Sequence, residues 1–149
     1  MNARLAQRYH QDGMSVTPGP QLVVKLYERL LLDLHKGKQA ISAGKVEVSH
    51  TELVHAQDIV FELNMALDVD AWDGGPALRA IYEHLLSRLV EANVAKSVEI
   101  VNECINVVAP LVEAWQEALL ITQTQRSAAT QTAGSQVPAA SGLRGTYSA

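Results

Sequence analysis

Residues 98–121 carry apolar side chains over more of a helix circumference than one packing partner can cover. Val98, Val101, Ile105, Val108, Val112, Trp115 and Leu119 recur at steps of three and four. Ile100, Cys104, Val107, Leu111, Ala114, Ala118 and Ile121 repeat the same spacing, offset by one turn position. At 3.6 residues per turn the two stripes lie roughly 100° apart, so well over half of the helix surface is apolar. One stripe closes a core. The other has to be covered by a neighbouring helix or by a partner.

Three more segments carry the same period. A first helix is expected from Thr17 as N-cap and Pro18 at the first position, with Val23, Tyr27, Leu30, Leu34 and Ile41 inward and Gly44 as its stop. A second covers about residues 46–67 through Leu53, Ala56, Val60, Leu63 and Leu67. A third opens at Pro76 after Gly74-Gly75 and carries Leu78, Tyr82, Leu85, Leu89 and Ala92; the fourth follows a short turn after Asn93. Alternating steps of three and four suit helices crossing at small angles, and the short connections suit antiparallel neighbours. The expected fold is all-α: an antiparallel up-down-up-down four-helix bundle over residues 17–121, an N-terminal capping arm over 1–16 and a disordered C-terminal tail over 122–149. Pro110 removes one backbone hydrogen bond from the fourth helix and is expected to kink it.

Composition agrees. The chain has 149 residues, 48% of them apolar but only 5% aromatic, which favours an aliphatic helical core. Of the 28 residues from Thr122 onward, 22 are Ser, Thr, Gln, Ala or Gly, too polar and small to offset their ordering entropy. That tail holds two arginines and no acid, so the net charge of −4 divides into +2 there and −6 over residues 1–121. An acidic body argues against nucleic-acid binding, which needs a basic stripe for phosphates. The single Cys104 excludes an intrachain disulfide and sits on an apolar stripe, where it acts as a small hydrophobe. The first 16 residues lack the apolar stretch of a signal peptide, and no uninterrupted apolar run approaches bilayer-spanning length, so no membrane insertion is expected and the location is expected to be cytoplasmic.

The second helix has an unusual outer face. Val54, Phe61 and Met65 fall within one arc about 140° from its core direction. An aromatic and a flexible thioether opposite the core form a strip for a helical partner, or for the N-terminal arm folding back through Leu5, Tyr9 and Met14. The rival chemistry is a ferritin-like metal site. Two E-x-x-H pairs, Glu47/His50 and Glu52/His55, stand on that helix, but no second helix supplies another, and the solvated reading is preferred. The Asp68–Gly75 loop fails as a calcium loop, because its third carboxylate and glycine are each one place late and position twelve is Arg79. No phosphate loop, nucleophile elbow or H-E-x-x-H is present, so neither an enzyme nor a cofactor is expected. A bundle self-associating through the fourth helix stays open as a structural alternative.

Several segments in order carry a family resemblance: Thr17-Pro18, Leu26-Tyr27-Glu28, the run His55-Ala56-Gln57-Asp58-Ile59-Val60 through Glu62-Leu63 to Leu67-Asp68, then Leu78 to Tyr82, Arg88-Leu89-Val90-Glu91-Ala92-Asn93 and Glu113-Ala114-Trp115. Over roughly residues 5–119 the chain resembles the flagellin-specific export chaperones, the FliS family. The resemblance implies a non-enzymatic bundle that binds the disordered C-terminal segment of flagellin, prevents premature polymerisation and presents it to the cytoplasmic domain of the export gate. The outer strip of the second helix and the surplus stripe of the fourth then make Val54, Gln57, Asp58, Phe61, Met65, Ile100, Cys104, Val107 and Leu111 the candidates for flagellin contact. The resemblance places Leu5, Tyr9 and Met14 in an arm that docks to the gate or caps a groove, in a monomer or weak dimer. Pro20 departs from the family pattern, where a glutamate often completes a capping box with Thr17, and Pro110 departs in the fourth helix.

Overall fold

The computed structural model describes residues 19–135, all of them helical or in short connections. Four helices follow one another: α1 (Pro20–Ser42), α2 (Val46–Ala66), α3 (Gly75–Ala95) and α4 (Val98–Ser135). Each packs against its neighbours in sequence, and α4 closes the ring by packing on α1, so α2 and α4 occupy opposite corners. This is the expected all-α, antiparallel, up-down-up-down bundle.

The core is the set of inward stripes. Tyr27, Leu30 and Leu34 of α1, Leu53, Ala56, Val60 and Leu63 of α2, and all five expected positions of α3 are buried. On α1 the buried valine is Val24, and Val23 is only half-buried. Tyr27 and Tyr82 join hydroxyls at 2.5 Å across the diagonal of the ring, satisfying two polar atoms inside an apolar core. Trp115 of α4 stacks on Tyr27 with ring centroids 5.9 Å apart and planes 24° from parallel. At Gly37 helices α1 and α2 approach so closely that a Cβ there would lie 2.9 Å from Leu53 Cδ2.

Two boundaries differ from expectation. Helix α1 starts at Pro20 with Gly19 as N-cap; its carbonyl accepts from the Leu22 and Val23 amides, and Pro20 takes the first position where a missing N–H costs nothing. Thr17 and Pro18, like the arm as a whole, lie outside the described residues. Helix α4 does not stop at residue 121. Residues 122–135 are helical, contrary to the disorder expected of them, yet every one is exposed. Adding a residue to an existing helix is far easier than nucleating one, and Ala, Gln and Arg propagate well, so the ladder continues for about 21 Å without a packed side chain. Residues 136–149 lie outside the described residues. Pro110 lies inside α4 with its ring exposed, and the helix continues on either side of it.

The connections are locally determined. Gly44 at φ 70° turns the chain between α1 and α2. Asp68 accepts from the Asp70 amide at 3.1 Å, an Asx turn that leads to Gly75, where a Cβ would sit 2.1 Å from the Val69 carbonyl oxygen. Lys96 ends α3 in the left-handed conformation at φ 49°, and the Ser97 hydroxyl accepts from the Ile100 amide to cap α4.

Candidate functional site

The outer strip of α2 is open. Phe61 is 54% and Met65 63% exposed, with Val54 half-buried about two turns before Phe61. Gln57 and Asp58 flank the strip, each half-buried. On the α1 side, burial raises the pKa of the neighbouring Glu62 carboxyl and the nearby Asp58 charge raises it further.

The strip continues toward the N-terminal end of α2 into a groove of about 590 Å³ lined by Val46, Glu47, His50, Thr51, Asn93, Val94 and Lys96. Val94 is 82% exposed at its rim, and Val90 stands exposed one turn earlier. The Asn93 amide donates to His50 Nδ1 at 2.9 Å, while Lys96 Nζ donates to Asn93 Oδ1, so the polar floor is satisfied. Sequence reasoning missed this groove. Its signal was present: Val90 and Val94 lie one turn apart, well off the Leu85–Leu89 core direction.

Helix α4 differs from the expected second open stripe. Its core direction falls between its two stripes, burying Val101, Val108 and Val112 from one and Cys104 from the other. Cys104 is therefore a core residue and presents nothing to a partner; burial pushes its thiol pKa from 9.0 up to about 11. Ile100, Val107 and Leu111 are half-buried and packed against the core. The surplus apolar surface of α4 emerges further along, where Ala114 and Ala118 are exposed and Leu120 and Ile121 stand 63% and 51% exposed. The candidates thus form two surfaces on opposite corners of the bundle.

The histidines of the two E-x-x-H pairs are engaged elsewhere, His50 with Asn93 and His55 on α1. His55 Nδ1 pairs with the fully buried Asp33 carboxylate, which also accepts from Arg29 Nε at 2.9 Å, tying α2 to α1. Among the described residues no group of three or more His, Cys, Asp or Glu side chains converges to hold a metal ion. By length and apolarity alone α4 reaches the threshold of a membrane span, with an 18-residue window of mean hydropathy 1.4, a test that the core helix of a bundle also passes. The double stripe raises that average, and four of its side chains close the core of the bundle. Leu5, Tyr9 and Met14 lie outside the described residues.

The chain matches the family model described as flagellar protein FliS over residues 1–122. It belongs to the FliS family. A relative is the flagellar secretion chaperone FliS of Bacillus subtilis (strain 168), 27% identical over 111 residues that cover 74% of this chain and 83% of that protein. A bacterial flagellar chaperone of known crystal structure shares the fold, with a TM-score of 0.62 and 19% identity over 80% of this chain and 98% of the other. The ordered motifs from Leu26-Tyr27-Glu28 to Glu113-Ala114-Trp115 fall within the matched region. The protein is a FliS-type flagellar secretion chaperone, of a chaperone family whose partners are flagellar proteins.

Proposed function

We propose that this bundle holds the C-terminal segment of flagellin as that segment folds into helices against it, masking the segment from polymerisation until delivery to the export gate. The observation that carries this reading is the open Val54–Phe61–Met65 strip, an aromatic and a thioether exposed opposite the core of an otherwise conventional helix. Nothing in this role calls for catalysis, and nothing in the sequence motifs supplies it. A guest that also meets Leu120 and Ile121 has to pass around the bundle, which an extended segment can do and a prefolded domain cannot. Segments that fold on binding bury roughly 1,000–3,000 Å², enough for such a path. The work is cytoplasmic, before export, and the arm with Leu5, Tyr9 and Met14 docks to the gate or covers the strip in the empty chaperone.

Titration of a labelled flagellin C-terminal peptide tests the reading. The parent protein is expected to bind saturably with a gain in peptide helicity, and Phe61→Asp to lose most of the affinity while keeping its own helical content. Equal binding by parent and variant would remove the α2 strip from the mechanism.

A further inference from the structure

Charge is distributed over this bundle with a sharp division that the flagellin reading does not use. Residues 20–45 hold five cations, Lys25, Arg29, Lys36, Lys38 and Lys45, against two acids, Glu28 and Asp33. Residues 46–121 hold three cations against thirteen acids. The two regions therefore carry +3 and −10. Asp33 is fully buried between Arg29 and His55, so it contributes no open negative charge to the outside of α1.

On the solvent face of α1, opposite Tyr27, Leu30 and Leu34, Lys25, Arg29, Leu32 and Lys36 follow one another at steps of four, three and four. Leu32 is 43% exposed in the middle of that row. Among the described residues, Lys25 and Lys36 enter no ion pair, and Leu32 is not among the side chains packed on the core. Leu32 is the one apolar side chain in an otherwise cationic row.

We infer that this face of α1 is a second docking surface, which takes an acidic amphipathic helical segment of a partner protein. The leucine seats between side chains of the incoming helix, and Lys25 and Lys36 meet carboxylates placed about two turns to one side of it and one turn to the other. The inference stands apart from the flagellin reading, because it concerns a different helix and different residues. The acidic remainder of the bundle repels such a segment everywhere else, so the field both orients the encounter and restricts it to α1. A membrane surface fits the face less well: one leucine without an aromatic belt is a small anchor, and the body carries net negative charge.

The test uses the full chain and a labelled synthetic helix that bears glutamates one turn apart around two leucines. Fluorescence anisotropy at low ionic strength should show saturable binding that weakens as salt is added. Lys25→Glu combined with Lys36→Glu should weaken it by about tenfold or more, and Leu32→Gln by about threefold, both with unchanged melting temperature. Phe61→Asp should leave it untouched, which separates this surface from the flagellin strip. The inference is overturned if the parent shows no saturable binding or if the double lysine variant binds as the parent does. Salt-sensitive uptake of the parent by phosphatidylglycerol vesicles, without peptide binding, overturns it in favour of a membrane. Self-association in sedimentation that the double variant abolishes overturns it in favour of a second copy.

Discussion

Helices α2 and α4 both carry more apolar surface than one core-facing stripe, yet only α2 keeps its excess open along its length. On α2 the surplus lies about 140° from the core, beyond the reach of either neighbour, so Phe61 and Met65 stay in solvent. On α4 the two stripes are only about 100° apart, so α1 and α3 bury the side chains between them and half-cover the rest where the bundle is complete. The angle between stripes decides whether apolar surplus becomes core or surface. Its amount does not.

The largest expected effect tests the sealed side. Val108 is fully buried, so Val108→Asp should unfold the bundle or cost more than about 4 kcal/mol, read by urea denaturation followed by circular dichroism. Phe61→Asp, the matching change on the open side, should move stability by no more than about 0.5 kcal/mol while costing about 2 kcal/mol in flagellin-peptide binding. Equal stability losses for the two variants would erase the distinction between the helices. Leu111→Asp falls between them, losing stability and binding together, because its half-buried side chain also packs on the core.

The cross-brace beneath α4 gives a smaller effect. Tyr27→Phe leaves the buried Tyr82 hydroxyl without its partner and should cost about 1–2 kcal/mol; adding Tyr82→Phe should recover part of that loss. A double variant as unstable as the sum of the two would place the loss in packing instead of hydrogen bonding. Burial raises both phenol pKa values, so the brace stays protonated across the ordinary working range.

Cys104 reports on α4 through its thiol. A folded-state pKa raised to about 11 above an unfolded value near 9.0 means the neutral thiol is favoured by folding. That contribution is intact below pH 9 and is lost as pH rises through 11. Reaction with a thiol reagent at pH 8 should be slow in the folded protein and rapid in urea; rapid reaction of the folded protein would show that α4 is open. The smallest effect concerns the α3–α4 turn, where Lys96→Gly should raise the melting temperature slightly, by less than about 1 kcal/mol of stability, since glycine holds φ 49° without a Cβ penalty.

The bundle could be read from periodicity because α1, α2 and α3 each carry a single inward stripe; on α3 all five expected residues are buried. The α2 strip was legible for the same reason, since one helix and one angle define it. What periodicity leaves undetermined is how far a neighbour's flank reaches. Cys104 and Val107 sit on a stripe that looked free, and only the placement of α1 and α3 decides that the first is core and the second half-covered. The groove at Val46 and Val94 needs two helix ends brought side by side, and the Asp33–His55 contact needs α1 and α2 in register, neither of which any single segment encodes. The start of α1 at Pro20 and the length of α4 turned on local terms of about 1 kcal/mol, too small to read from pattern alone.

The placement of α2 and α4 at opposite corners of the ring has a consequence for how a long guest would let go. A chain gripped at both corners is chelated: when one contact opens, the other keeps the freed stretch at high local concentration and it returns before the whole escapes. Severing such a guest midway between its contacts would then leave two pieces that each exchange quickly, though almost none of the touching surface had been removed.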